Sequence, residues 1–392
     1  MSDKPRELSS DQLWSPCDPG IFDFETTDSL PDEVVIIGQE RAVDAIDFGV
    51  DIASFGFNIY ALGYTGTGRT TTLRTYLDRI AAEQQVPADW VYVYNFDDPN
   101  RPNAISLPPG TAIRFRRAME ELVSDLQREI PRAFESEDYE KQRESIMREA
   151  QEKRNEAFVH LEHRVNERGF TLLKTAMGLG IAPVLNGQVL TPEAYQQLDE
   201  GTRKGIEEHQ QQLQSEMAET MRGIRDLEKA TKRKLDDFDR EIAGFAVGHL
   251  IEELKERYGK IEELPEYLEA VQADIIDHVG GFKAPGDEPE EGLMAAMRPR
   301  QTEALLNRYT VNVIVANSQC KGSPVVFEAN PTYGNLIGRI EHRAEFGALV
   351  TDFAMIKGGC LHRANGGYLV VEVNGLLANP LAWDALKRAI KN

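Results

Sequence analysis

Three rhythms of apolar and polar positions follow one another along the chain. Short, nearly continuous apolar runs stand towards both ends: NIYAL at 58–62, WVYVYNF at 90–96, TVNVIVAN at 310–317, PVVFEAN at 324–330 and GYLVVEV at 367–373. Their aromatic and β-branched content predicts strands, and runs without polar alternation suit a parallel sheet covered on both faces. The amphipathic stretches QERAVDAIDFGVDIAS, TTLRTYLDRIAAEQ and NPLAWDALKRAIK predict helices around them. The middle of the chain keeps a different time. From Ile206 onward His209, Leu213, Met217, Met221, Ile224, Leu227, Thr231, Leu235, Phe238, Ile242, Phe245 and His249 recur at steps of three and four, the stripe of a coiled coil. A weaker stripe through Tyr139, Ile146, Ala150, Ala157, Leu161 and Val165 precedes it, and the join GLGIAPVLNGQVLTPEAYQQL holds Gly and Pro residues that continue neither helix.

The pattern divides the chain into three parts. Residues 1–112 and 304–392 read as two halves of one α/β module, and 113–303 as an antiparallel helical arm inserted between them. A solvated spacer with no part in any chemistry is the plain alternative for that arm. The stretch 278–301, rich in Gly, Pro and acids, is expected to be a mobile loop where the chain returns to the sheet.

Size and charge narrow the possibilities. At 392 residues the chain is long enough for two or three domains with a sizeable core. It has no apolar run long enough to span a bilayer and no secretory start, so a soluble, cytoplasmic protein without a membrane is expected. Cys17, Cys320 and Cys360 form neither a C-x-x-C pair nor a metal-ligand spacing and read as ordinary thiols. A formal charge of −21, with no basic cluster standing out along the sequence, argues against nucleic acid as the main partner.

Chemistry first shows in GYTGTGRT at 63–70. It matches the phosphate-binding pattern G-x-x-x-x-G-K-[ST] except that Arg69 stands in place of Lys. Gly63, Gly66 and Gly68 let backbone N–H groups turn towards phosphates at a helix N-terminus, and Thr70 supplies the hydroxyl that holds Mg²⁺. The wider planar fork of Arg69 binds phosphate but does not fit the narrow lysine position. A Gly/Thr-rich turn that never meets nucleotide is the competing reading. The acid strand that completes such sites is altered as well: in YLVVEV, Glu372 stands where the Mg²⁺ acid belongs and Val373 where the water-activating Glu belongs. Valine cannot accept a proton, and loss of a general base costs about 10²–10⁴ in rate. These residues predict a nucleotide fold that no longer hydrolyses, with weak ATP or ADP binding and Mg²⁺ as the most it retains and no cofactor required.

Several long segments then resemble one family. FDFETTDSLPDEVVIIGQERAVDAIDFGVDI at 22–52, the altered loop, VYVYNFDDPNRP at 91–102 and NPTYGNLIGRIEHRAEFGALVTDFAMIKGGCLHRANGGYLVVEVNGLLANPLAWDALKRAI from Asn330 are similar to the ATPase-like (AAA+) module of Lon-like proteases, the LonC branch most of all. The resemblance implies an AAA+-like P-loop parallel sheet carrying a long antiparallel α-helical coiled-coil insertion. It implies a homo-hexamer over a chamber lined by Ser–Lys dyads, and proteolysis without ATP. GQER at 38–41 would lie near an adenine pocket, and TYGNLIG at 332–338 would carry a pore loop in which Tyr333, Leu336 or Ile337 grips an unfolded chain; a plain turn with buried aliphatics is the alternative there. In the family the sensor residues, helical lid, arginine finger and protease domain lie further on, so with Asn392 as its last residue the chain is expected to be an N-terminal fragment. Ser318 and Ser323 near Lys321 lack the surroundings of a dyad.

Two readings of function follow. One is a non-hydrolysing module that shapes a Lon-like hexamer and admits unfolded or damaged polypeptide to its own protease domain and neighbouring subunits. The other is an ATP-driven unfoldase that tolerates Arg69 and takes a base from Asp97 or Asp98.

Overall fold

The computed structural model describes residues 7–30, 39–52, 54, 56–64, 66–175, 178–185, 188–196, 198–283, 301–345 and 347–391. The chain divides into two compact units, residues up to 84 together with those from 387 on, and residues 85–386. Most of the expected loop 278–301 lies outside the described residues; its first part ends in a short 3₁₀ turn, Val279–Gly281.

In the first unit, α1 (Glu40–Asp51) buries Ile46, and α2 (Arg69–Glu83) buries Tyr76, Leu77 and Ala81. Between them residues 57–64 run without regular structure, and Phe57, Ile59, Tyr60, Leu62 and Tyr64 are all exposed. The strand expected at 58–62 is therefore absent. A strand needs a neighbour to take its backbone hydrogen bonds, and nothing among the described residues pairs with this segment.

The second unit begins with β1 (Asp89–Val93), which pairs antiparallel with β2 (Asn103–Leu107) along its whole length. Helix α3 (Ala112–Phe134) follows and buries Phe115, Met119, Leu122, Leu126 and Ile130 at helical spacing. Next come α4 (Glu137–Glu167), the hairpin strands β3 (Phe170–Thr175) and β4 (Gly178–Leu185) with the short β5 (Gln188–Val189), and α5 (Pro192–Gln196). Helix α6 (Glu200–Tyr258) runs for 59 residues, about 88 Å at 1.5 Å per residue, before α7 (Leu264–Asp277) turns back. The join between the two long helices, whose Gly and Pro residues continue neither helix, is thus a small antiparallel sheet in the order β3-β4-β5. Its turn residues masked the short alternating runs on either side.

The α4–α6 pair is antiparallel, as its cross-links show: Tyr139 with Asp239, Lys234 with Glu149, and Arg164 and Arg168 with Glu216. The coiled-coil stripe holds through Leu213, Ile224 and, half-buried, Leu235 to Ile242, and then fails: Phe245 is 83% exposed. Beyond Ile242 the buried positions move to Ala243, Val247, Ile251, Leu254 and Tyr258. The stripe shifts because the partner changes: the first half of α6 lies on α4, and its second half joins α3, α7 and the β1–β2 sheet in the main core. At the far end Leu161, Val165, Phe170 and Leu213 form a separate cluster, each contributing about 1.5–3 kcal/mol by burial. At the root, Tyr139 donates to Asp239 Oδ1 (2.8 Å) and stacks on Phe238 (5.3 Å), while Lys283 pairs with Asp239 and lies 4.1 Å above the Phe134 ring.

Past a helical stretch at 301–307, β6 (Val311–Val315) joins β1 antiparallel. Asp89, fully buried, fastens this junction: Oδ2 accepts from Ala112 N (2.9 Å) and Oδ1 from Asn317 N (2.8 Å). Then follow β7 (Val325–Glu328), the single turn α8 (Tyr333–Leu336), β8 (Gly338–Ile340), β9 (Arg343–Glu345), β10 (Ala348–Val350), β11 (Ile356–Gly358), the turn α9 (Cys360–Arg363), β12 (Tyr368–Val371), α10 (Val373–Leu377) and α11 (Pro380–Lys391). The four apolar runs expected to share one parallel sheet divide instead. β12 pairs parallel with β7, whereas β1 pairs antiparallel with both β2 and β6. The architecture is a mixed α/β one with a long helical insertion, and no parallel P-loop sheet forms among the described residues. No helix among them is long and apolar enough to cross a membrane.

Candidate functional site

The loop at 63–70 has the backbone its glycines predict. Gly66 and Gly68 sit at φ +85° and +76°, a region that side chains with a Cβ rarely enter, and Gly68 is the residue from which α2 starts. Its carbonyl accepts from Thr72 N at 2.8 Å, and Thr67 Oγ1 donates to Tyr64 O at 2.8 Å. At Gly63 a Cβ would lie 3.1 Å from Arg69 Cδ, so the Arg69 stem folds back over that glycine. Arg69 opens the helix, Thr70 follows it, and both are exposed. The N-terminus of α2 with Thr70 beside it is a place where phosphate and Mg²⁺ could be held; Thr65 is outside the described residues. Of GQER, Gln39 precedes α1, while Glu40 and Arg41 are its exposed first residues; Gly38 lies outside the described residues.

The acid strand lies in the second unit. Glu372 follows β12 and is exposed; its carbonyl accepts from Leu376 N (3.0 Å) as the chain enters α10. Val373, the first residue of that helix, is 38% exposed and carries only an isopropyl group. Asp97 and Asp98 occupy the turn after β1, where Asn95 Oδ1 accepts from both of their N–H groups and Asp98 Oδ1 accepts from Asn100 N (3.1 Å). Asp98 is thereby engaged in its own turn.

The TYGNLIG segment separates its three candidates. Thr332 caps α8 by accepting from Asn335 N, which leaves Tyr333 half exposed, buries Leu336 completely and packs Ile337 against the same cluster as Leu336. The turn depends on glycine: at Gly338 (φ +108°) a Cβ would lie 2.2 Å from Lys357 O, and at Gly359 one would lie 2.2 Å from Leu336 O. Leu336 has a packing role here, and Tyr333 is the side chain that reaches out. Close by, burial holds the Cys360 thiol above and the His362 imidazole below their ordinary pKa values, so both are neutral at neutral pH. Ser323 donates to Gln85 O and has no hydrogen bond to Lys321, so no dyad forms there.

Sequence reasoning missed a cleft of about 440 Å³. Tyr94, Asn307, Arg308, Arg343, Asp352 and Phe353 line it, between the 301–307 helix and the β9–β10 hairpin. Of its charged side chains, Arg308 pairs with Asp274 (3.2 Å) and lies over the Tyr94 ring, and Asp352 caps the turn at Ala354. The contributing residues are too scattered along the chain to form a readable motif. Among the described residues no group of His, Cys, Asp and Glu could hold a metal ion.

Comparison with known families finds two matching stretches, neither of which includes the loop at 63–70. A model of the AAA domain of LonB-like proteins matches residues 321–392, from just before β7 to α11. A model of the helical domain of Lon-like LonC proteins matches residues 89–122, which hold β1, β2 and the first half of α3. No curated protein matches the chain.

Proposed function

We propose that this chain, a Lon-like protein of the LonC branch, is the ATPase-like part of a Lon-type protease and works without hydrolysing ATP. Its role is to assemble the protease and to recruit or admit unfolded polypeptide, with the Ser–Lys dyad on a protease domain outside this chain. Val373 carries the reading: the side chain following Glu372 is partly exposed at the end of β12, where an attacking water would need a base, and it cannot take a proton. Arg69 supports it, since a guanidinium cannot reproduce the compact ammonium contact between β- and γ-phosphates. The apolar side chains exposed along 57–62, where such a fold places a strand before the loop, call for a covering surface in the assembled protein. Tyr333 is the candidate contact for an incoming chain. The cytoplasm is the compartment that suits three unpaired cysteines.

Titrating Mg²⁺-ATP and Mg²⁺-ADP calorimetrically, beside Arg69→Lys and with phosphate release followed in parallel, tests this. The expected result is weak or no binding by the native chain, tighter binding by the variant and no turnover by either. Steady turnover that Thr70→Ala abolishes would overturn it and establish an ATP-driven unfoldase.

A further inference from the structure

The helical periodicity of α6 gathers charge that the linear sequence disperses. At about 100° per residue, Arg222, Arg225, Lys229, Lys232 and Arg233 fall within an arc of about 100°, on the side away from the buried Leu213 and Ile224. All five are exposed. None makes an ion pair among the described residues, although Asp226, Glu228 and Asp236 stand on the same helix. Elsewhere on the long helices cations do find partners one turn away, as Lys141 does with Glu137, Lys153 with Glu149 and Arg257 with Glu253. Five cations less Asp226 and Glu228 leave +3 on residues 222–233, within a chain of −21.

Helix α1 shows the inverse. Glu40, Asp44, Asp47 and Asp51 fall within about 60° of one another, all exposed and none ion-paired among the described residues. Four carboxylates less Arg41 leave −3. Both ridges run over eleven residue steps, about 16 Å each, and Phe48, 71% exposed, flanks the acidic one.

We propose that the basic ridge of α6 docks the acidic ridge of α1 from a second copy of this chain. The contact is head-to-tail, each copy offering one ridge to each of two neighbours, the geometry that builds rings or filaments. It deepens the assembly role proposed above and is independent of whether nucleotide binds. Single exposed ion pairs contribute little, but a matched row acts together and is screened by salt.

The test measures the mass of the whole chain by analytical ultracentrifugation in about 0.01 M and about 1 M salt, where charges act over ~30 Å and ~3 Å. Wild type is expected to exceed its 44.0 kDa monomer at low salt and return to it at high salt. Arg225→Glu with Lys229→Glu, and separately Asp44→Lys with Asp47→Lys, should each weaken association about tenfold or more. An equimolar mixture of the two variants should associate again, because each presents the charge the other lacks. Pairing within one chain gives no rescue on mixing and overturns the proposal, as does wild type that stays monomeric at low salt. Association that neither variant disturbs also overturns it, while leaving an assembly role through another surface intact. A single-stranded oligonucleotide bound by monomeric wild type and released by the α6 variant would assign the ridge to nucleic acid instead.

Discussion

Asp89 offers the sharpest test of how the second unit is held together. It is fully buried, and its two oxygens each accept one backbone N–H, from Ala112 at the start of α3 and from Asn317 after β6. Asn in its place keeps one acceptor but must turn an NH₂ towards the other N–H, donor against donor. A buried donor left without an acceptor costs about 1–3 kcal/mol. Asp89→Asn should therefore destabilise the unit by about that much. Asp89→Ala leaves both donors bare, for about 2–5 kcal/mol, partly offset because a buried carboxylate is no longer desolvated. At roughly 2–4 °C per kcal/mol for a unit of this size, the melting midpoint of the Asn variant should fall by about 2–12 °C. Circular dichroism melts give the midpoint, and hydrogen exchange at Ala112 and Asn317 locates the loss. A midpoint within about 1 °C of wild type for both variants, with those amides still protected, would refute the claim that this carboxylate pins the junction.

Three further outcomes follow from the same physics. Burial and the Asp239 hydrogen bond push Tyr139 up to about 12; the unfolded phenol ionises near 10, so the folded state keeps a proton the unfolded state has lost, and stability should fall as pH rises between those values. Urea midpoints across that window should show the fall in wild type and a smaller one in Tyr139→Phe. Leu213→Ala, in the tip cluster with Leu161, Val165 and Phe170, should cost about 2–5 kcal/mol. Limited proteolysis should then cut the β3–β4 end of the arm first, since this cluster is separate from the main core. With a thiol reagent such as a disulfide dye, exposed Cys17 should react first and buried Cys360 only after urea is added, its thiol being both inaccessible and held above its ordinary pKa; rapid reaction of all three would contradict the burial.

What was legible in the residues alone was whatever local periodicity and glycine chemistry specify. The helices α1, α2, α6 and α11, the strands β1, β6, β7 and β12, the loop around Gly66 and Gly68 and the altered pair Glu372–Val373 all rest on signals within a few residues of one another. Partnership does not. Whether an apolar run such as 58–62 becomes a strand depends on a neighbour to take its hydrogen bonds, and whether β1 and β6 run parallel depends on how the chain returns through the long insertion between them. The stripe on α6 was read correctly only as far as one partner lasted; at Ile242 the helix passes from α4 to α3 and α7, and the apolar side turns with it. Leu336 and Tyr333 are three residues apart, and no pattern says that one is core and the other exposed, because that division is made by Gly359, whose missing Cβ lets the backbone press against Leu336 from 23 residues downstream. Chain neighbours determine conformation within a turn or two, and tertiary contacts decide pairing, burial and which chemical groups meet.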